Sequence, residues 1–177
     1  MYLCVLCLFV TTALTAQKYS TKTGQISFEA SVPSFEEVKA KNENVSAILN
    51  MDTGDFASLA LMNGFRFKVA LMEEHFNENY VESAKYPKTT FRGKIQGFNP
   101  SELSETEKEY TVSGTITMHG ESKSIEAPIR IKKEGETIMI TTDFVLQPGD
   151  FNIKIPKIVS KKIADDVNVS ATYSLSN

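Results

Sequence analysis

The regular alternation of apolar and polar residues is the feature that most constrains the fold of this chain. One alternating run occupies residues 110–118, and a second follows a His-Gly pair and covers residues 124–131. Residues 167–175 repeat the pattern at the C-terminus. A period of two points successive side chains to opposite faces of a strand, so these runs predict half-buried antiparallel strands.

The residues between these runs add further strands and two helical candidates. Strands are predicted at residues 24–32, 44–52, 56–67 with a break near Asn63 and Gly64, 89–98, 137–146 and 150–155. Apolar and aromatic residues within 69–87 recur at helical spacing, and residues 156–166 are a candidate for another short helix. Residues 99–109 are polar and predict a solvated loop.

About eight or nine strands with short turns and no βα alternation predict an all-β fold. We favour a closed antiparallel barrel of about eight strands, with one or two short helices, over a sandwich because closure removes exposed sheet edges. An eight-stranded barrel is also wide enough to hold one small or slender ligand. The length of 177 residues fits a single domain, which we place at residues 17–177.

Residues 1–16 contain no charge and begin with an apolar run, followed by small residues up to Ala16. This pattern is typical of a secretory signal peptide, although the usual basic start is missing and Leu14 stands where a small residue is preferred. We therefore expect cleavage near Ala16 and export to the periplasm or beyond. Both cysteines, Cys4 and Cys7, lie in this segment, so the mature domain would carry no disulfide or thiolate ligand.

Charge and motif content exclude several classes of function. The 19 basic and 22 acidic side chains nearly balance, which gives no electrostatic argument for nucleic-acid binding. The Gly-x-Ser-x-Gly elbow of serine hydrolases and the glycine-rich nucleotide loops are absent. Only two histidines are present, without the spacing of a zinc site. We therefore predict no catalytic residues, no metal and no resident cofactor.

The two histidines invite separate interpretations. His119 and Gly120 connect two alternating runs, where a short turn needs residues that tolerate unusual backbone angles, so a turn role suffices for His119. His75 lies in the predicted helix, where it would either contact a ligand head group or only form a hydrogen bond that caps the core.

The order of several motifs resembles the YceI-like family of polyisoprenoid-binding and lipid-binding proteins. The chain reads LMEEHFNENYVESAKYPKTTFRGKI at 71–95, YTVSGTITMHGESKSIEAPIRI at 110–131, DFNIKIP at 150–156 and DDVNVSATYSL at 165–175. The resemblance implies an elongated lipocalin-like barrel, exported, with an apolar pore for an isoprenoid or fatty-acyl chain. It also makes a homodimer an expectation.

Composition alone leaves open whether the barrel is hollow or filled by its own side chains. Eleven phenylalanines, six methionines and no tryptophan suit a cavity for a flexible hydrocarbon, since these side chains bring no polar atom that needs a partner. With the resemblance, a hollow lipid carrier is favoured. The residues expected to line its pore are Phe65, Phe67, Leu71, Met72, Phe76, Phe91, Ile116, Met118, Phe144 and Phe151.

Two other functions compete with this one. The first is a structural or interaction barrel filled by its own side chains and accessory to a membrane protein. The second is an enzyme using His75 and neighbouring carboxylates, which no nucleophile, metal set or cofactor loop supports. For the carrier, the expected partner is an apolar lipid such as a polyisoprenoid, an isoprenoid quinone or a fatty acid, and transient contact with a membrane or a membrane protein is left open.

Overall fold

A computed structural model describes residues 17–177. Within this range the chain forms nine strands, β1 to β9, and one short α-helix, α1, at Ala70–His75. The strands are Lys18–Ser31, Lys39–Asn50, Asp55–Leu61, Arg66–Phe67, Lys88–Ile95, Lys108–Met118, Glu121–Glu134, Thr137–Leu146 and Ile163–Leu175. The predicted signal peptide lies outside the described residues.

Eight of the strands close into an antiparallel barrel. Their order is β1-β9-β8-β7-β6-β5-β3-β2, and β2 pairs in turn with β1, so that the sheet meets itself. The two-residue strand β4 pairs with Ala40 and Lys41 of β2 and takes no part in the closure. The predicted closed barrel of about eight strands is therefore confirmed, and the strands owe their half-buried character to the period of two seen in the sequence.

The barrel has two ends with different contents. The chain crosses one end, the open end, with the β1–β2 loop, α1 and the segment between β8 and β9, whereas at the other end, the closed end, hairpin and loop connections join the strands. Near the closed end the interior is packed with aliphatic side chains that are at most 1% exposed, including Leu49, Ile95, Ile131, Ile138, Ile140 and Leu175. We call this part of the barrel the closed half and the remainder the open half.

The elements at the open end differ most from the sequence predictions. Helix α1 is followed by a π-helical turn at Phe76–Tyr80, so the predicted helix within 69–87 is present but shorter. The predicted strand at 150–155 is wrong, because a 3₁₀ turn at Pro148–Phe151 leads into Asn152 with φ of 56°, a left-handed conformation that ends any extended run. The predicted helix at 156–166 is also wrong, since residues 157–162 form turns and β9 begins at Ile163.

The predicted break in the strand at 56–67 is confirmed. β3 ends at Leu61, and a 3₁₀ turn at Met62–Gly64 separates it from β4. The buried side chain of Asn42 fills the bend, donating to the Leu61 carbonyl at 2.9 Å and accepting from the Asn44 amide at 2.9 Å. No helix among the described residues has both the length and the apolar character needed to cross a bilayer.

Candidate functional site

The open half of the barrel encloses a cavity of about 440 Å³. Strands from around the barrel contribute to its wall, and α1 with the π-helical turn forms part of its cover. Exposed residues reach it only from the crossing elements at the open end, where Phe35, Glu36, His75 and Lys162 form the rim. The mouth of the cavity therefore lies at the open end.

A group of four phenylalanines from different elements forms one side of the cavity beneath the helix. Phe28 of β1 contacts Phe65, Phe67 and Phe76, with ring centroids 5.4, 5.7 and 5.4 Å apart. Phe76 in turn lies 5.1 Å from Phe67 and 5.9 Å from Phe65. Tilted and edge-to-face rings at these distances attract one another, so this group holds the helical segment against the barrel.

A second aromatic group forms the cavity floor where the closed half begins. The Phe56 ring lies 5.4 Å from Tyr173 and 6.1 Å from Phe91. Gly93 and Gly114 pair directly opposite each other beside the Phe91 ring, whose tip would lie 2.6 and 2.7 Å from a Cβ added at either position. These glycines are therefore needed for close approach of two strands and a ring, and they let the aromatic floor span the barrel.

Several polar side chains of the cavity wall have hydrogen-bond partners within the protein. Thr142 donates to the Pro128 carbonyl at 2.7 Å, and Thr89 donates to the Met62 sulfur at 3.0 Å. Burial raises the pKa of the Tyr173 hydroxyl above its ordinary value, an effect that its hydrogen bond with Ser58 offsets in part. The interior thus offers few free hydrogen-bonding groups and favours an apolar occupant.

Charged or basic side chains are confined to the rim. Among the described residues that line the cavity, Glu36, His75 and Lys162 are the members of this class, and all three are exposed. An amphipathic ligand would find its apolar partners inside and its polar partners at the mouth. This division gives the site a direction along the barrel axis.

The structure brings most of the predicted lining residues to the cavity. Those that line it are Phe65, Phe67, Met72, Phe76, Phe91, Ile116, Met118 and Phe144. Leu71 does not line it and is 56% exposed, because Met72, His75 and Phe76 form the inward face of the helix and a residue one position earlier points about 100° away. Phe151 is fully buried outside the cavity, in the turn that replaces the predicted strand.

Other lining residues were not among the predicted set. Phe28 and Tyr173 line the cavity, and the alternation in their strands already placed both on apolar faces. The missing information was how far along the barrel the packed interior extends. Phe35, Val159 and Lys162 lie in irregular segments, where no periodicity marks the residues that turn inward.

His119 occupies the predicted turn and does more than form it. Its φ of 51° and the 81° of Gly120 give the left-handed pair that a two-residue hairpin between β6 and β7 requires. Its side chain is only 9% exposed, and Nδ1 and Nε2 lie 2.8 Å from the Phe151 carbonyl and from a carboxylate oxygen of Glu82, respectively. The carbonyl oxygen and the carboxylate oxygen are both acceptors, so each ring nitrogen faces one acceptor.

These contacts join three segments of the open end. Phe151 belongs to the 3₁₀ turn after β8, Glu82 follows the π-helical turn, and His119 belongs to the β6–β7 hairpin. The Tyr86 ring packs against the imidazole with centroids 4.4 Å apart. The arrangement is that of a structural brace, since His119 does not line the cavity.

Within residues 17–177, no three His, Cys, Asp or Glu side chains lie close enough together to hold a metal ion. His75, the predicted head-group contact, is exposed at the rim and lines the cavity. The geometry therefore supplies an enclosed apolar volume with a polar rim and no preassembled set of metal ligands in the described part of the chain.

Comparison with known families and structures gives one family and a consistent fold. A model of the YceI-like domain matches residues 10–175. A search of curated proteins finds no match.

Solved structures with the same fold come from several bacteria. A polyisoprenoid binding domain from Saccharophagus degradans superimposes with a TM-score of 0.79 at 14% identity, over 92% of this chain and 99% of that one. BcnA from Burkholderia cenocepacia gives 0.72 at 15% identity, over 87% and 96%. The YCEI protein of Campylobacter jejuni gives 0.66 at 16% identity, over 82% and 88%. At these identities the similarity shows the fold.

Proposed function

The chain belongs to the YceI-like family, and from that premise we propose that it is a non-enzymatic carrier that encloses one apolar chain in the open half of its barrel. The ligand is a polyisoprenoid, an isoprenoid quinone or a fatty-acyl lipid. The observation that carries the proposal is the 440 Å³ apolar cavity with charged groups only at its rim. Binding of a polyisoprenoid by the Saccharophagus degradans domain supports the same ligand class.

The size and lining of the cavity suit a hydrocarbon ligand. Small-molecule sites enclose roughly 300–1,000 Å³ and are lined mainly by apolar and aromatic groups. Phenylalanines and methionines such as Phe76, Phe91, Met72 and Met118 present adaptable surface without a polar atom. A chain with several conformations can therefore be accommodated without breaking hydrogen bonds in the wall.

Apolar contacts supply the affinity in this proposal. Burial of about ten methylene groups contributes roughly 8 kcal/mol before the costs of association and ordering. An exposed ion pair at the rim adds about 0.5 kcal/mol. The interior therefore holds the chain, while Glu36, His75 and Lys162 select the head group and orient it.

The proposal includes export of the protein and the absence of a resident cofactor. Export rests on the sequence of residues 1–16, which resembles a signal peptide. The absence of a cofactor rests on the missing nucleotide-binding motifs, on the presence of only two histidines and on the lack of any cysteine after residue 7. A homodimer remains a prediction from the family resemblance.

Native mass spectrometry of the purified protein, followed by organic extraction, tests the proposal. We expect an added mass that is lost on denaturation and is recovered as a lipid. The delipidated protein should then take up a fluorescent fatty acid or a short polyprenol. A protein that carries no such mass and takes up neither probe would be a structural barrel, and the carrier function would be wrong.

A cavity-filling variant makes the test specific for the interior. Ala127 lies on the inward face of β7 and lines the cavity, whereas its neighbour Glu126 is exposed on the outer face. Ala127→Phe should lower uptake at least about tenfold, because it fills volume that the ligand needs. Glu126→Phe adds the same side chain outside the barrel and should leave uptake unchanged, so equal uptake by both variants would contradict the proposed site.

A further inference from the structure

Exposed hydrophobic side chains are concentrated at the end of the barrel that carries the mouth. Among residues 17–177, six large hydrophobic side chains are exposed: Phe35, Ile48, Leu61, Leu71, Val145 and Ile158. Five of these lie at the open end, in loops, in the helix or at strand ends. The sixth, Ile48, lies in β2, where it pairs with Ser20 of β1 and Ala57 of β3. The end that carries the mouth therefore holds five of the six exposed large hydrophobic side chains.

Ile158 is the most exposed of the six, at 88%. It is the third residue of the first of two successive turns. A hydrogen bond from the Val159 amide to the Pro156 carbonyl at 3.0 Å closes the first turn, and one from the Lys162 amide to the Val159 carbonyl at 2.8 Å closes the second. Val159 and Lys162 of the same turns line the cavity. The segment thus faces the cavity with one side and presents an isoleucine to solvent with the other.

The charged residues of the segment that contains Ile158 are all of one sign. Residues 154–162 contain four lysines, all exposed, and no acidic residue. None of these lysines takes part in the ion pairs found within 4.0 Å among residues 17–177. The nearest acids along the chain are Asp150 on one side, which lies 3.8 Å from the Lys123 ammonium, and Asp165 and Asp166 in β9 on the other, where Gln147 donates to Asp166 at 2.9 Å. The segment therefore has free positive charge beside its exposed apolar tip.

We propose that residues 154–162 dock the open end onto the surface of an anionic lipid bilayer. Ile158 inserts into the interface between head groups and acyl chains, and Lys154, Lys157, Lys161 and Lys162 contact lipid phosphates. An isolated apolar side chain surrounded by lysines suits such a surface, since lysine stems lie along apolar material while their ammonium groups stay at the phosphates. A protein partner or a second copy of the chain would not depend on anionic lipid.

The inference rests on the proposed function. A carrier for a membrane-derived lipid gains from a mouth that opens toward the bilayer, because the apolar chain then crosses less water. Val159 and Lys162 connect the docking segment directly to the rim, so contact with the bilayer and access to the cavity involve the same turns.

Vesicle co-sedimentation of the full protein tests the docking. We expect binding to vesicles of phosphatidylcholine with phosphatidylglycerol, weaker binding to pure phosphatidylcholine, and loss of binding as salt rises. Ile158→Asp should reduce partitioning into the anionic vesicles at least about tenfold. Lys157→Gln and Lys161→Gln should each reduce it about fivefold.

The matched control is Ile48→Asp, which changes the exposed isoleucine away from the open end and should bind like the unaltered protein. Equal binding by Ile158→Asp and Ile48→Asp would overturn the docking proposal, as would binding that is indifferent to phosphatidylglycerol. A change of oligomeric state on Ile158→Asp, with vesicle binding intact, would also overturn it in favour of a protein contact. Uptake of the fluorescent fatty acid and of the short polyprenol in the absence of vesicles separates the two proposals. Ile158→Asp should retain the uptake that the unaltered protein shows, whereas an unaltered protein that carries no lipid and takes up neither probe would refute the carrier function.

Discussion

The closed half and the open half of the barrel share eight strands and differ in the side chains that those strands point inward. The closed half is filled by branched aliphatic residues such as Ile131, Ile138 and Ile140, which are completely buried. The open half combines aromatic rings with small residues, Ala30, Ala60, Ala127 and Ala171 among them. Branched side chains fill a cylinder evenly, whereas rings that pack on one another opposite alanines leave a continuous volume. One sheet can therefore serve as both a solid core and a container.

Truncation of one side chain in each half should show the largest difference between the halves in the free energy of unfolding. Ile140→Ala removes three carbons from a tightly packed site and should lower the free energy of unfolding by about 2–5 kcal/mol. Ile125→Ala faces the cavity and is only partly buried, so its cost should fall at or below the lower end of that range. Urea unfolding of both variants measures the difference, and equal losses would mean that the two halves are packed alike.

The glycine pair at the cavity floor should be the next most sensitive feature. A Cβ at Gly114 would lie 2.4 Å from the Arg92 carbonyl oxygen and 2.6 Å from the Gly93 Cα, and backbone atoms cannot move aside cheaply. Gly114→Ala should therefore destabilise the fold by about 1–3 kcal/mol. Gly149→Ala is the control, because nothing lies within 4 Å of its added Cβ. Thermal unfolding that separates the two by less than the experimental error would contradict the close approach of β5 and β6.

The His119 brace should matter to the open end more than to the closed half. His119→Asn keeps a residue that tolerates the left-handed turn but is too short to reach both Phe151 and Glu82, and should cost about 1–2 kcal/mol. Hydrogen exchange should rise in residues 148–162 and stay low in β7 and β8 near Ile131 and Ile140. Glu82→Gln retains an acceptor and is the milder control. Uniform acceleration through the whole barrel would show that the brace is not local.

The smallest effect on stability is expected for a substitution on the outer face of the barrel, at Asp143. Donation from Ser170 and then from Arg130, each at 2.6 Å, holds the pKa of Asp143 below its ordinary value. The stabilisation that the ionised carboxylate of Asp143 provides is therefore present at neutral pH, and it is lost as the pH falls through the lowered pKa. Because both partners are partly exposed, Asp143→Asn should cost no more than about 0.5 kcal/mol. Unfolding at neutral and strongly acidic pH should show this difference only at neutral pH, and a difference that persists in acid would have another cause.

Sequence periodicity predicted the barrel wall far better than the structures that cover its mouth. Strand β8 begins at Thr137 and ends at Leu146 as the alternation indicates, and its more buried and more exposed positions alternate along its length. Residues 150–155 also alternate, yet the Pro148–Phe151 turn and the left-handed Asn152 take them away from the sheet. Local pattern cannot reveal where a chain leaves a sheet to cross the end of a barrel.

The candidate site shows the same limit at the level of single residues. Inward positions on strands, such as Phe91 and Ile116, followed from the period of two. The orientation of the helix depends instead on its contact with Phe28, Phe65 and Phe67, which lie on other elements, so the sequence could not decide between Leu71 and its neighbours. The two contacts of the His119 ring join residues 32 and 37 positions away in the chain and left no local signal.

The aromatic floor at Phe56, Phe91 and Tyr173 turns the container into a blind tunnel. A lipid that enters by its tail must leave head group first, by the route through which it came, and it cannot be passed through the molecule from one end to the other. The depth of the cavity from rim to floor also limits the length of chain that can be enclosed, since carbon atoms beyond that depth stay outside the protein. For the proposed carrier, loading and unloading would be the same step in opposite directions, and the membrane or partner at the mouth would set the balance between them.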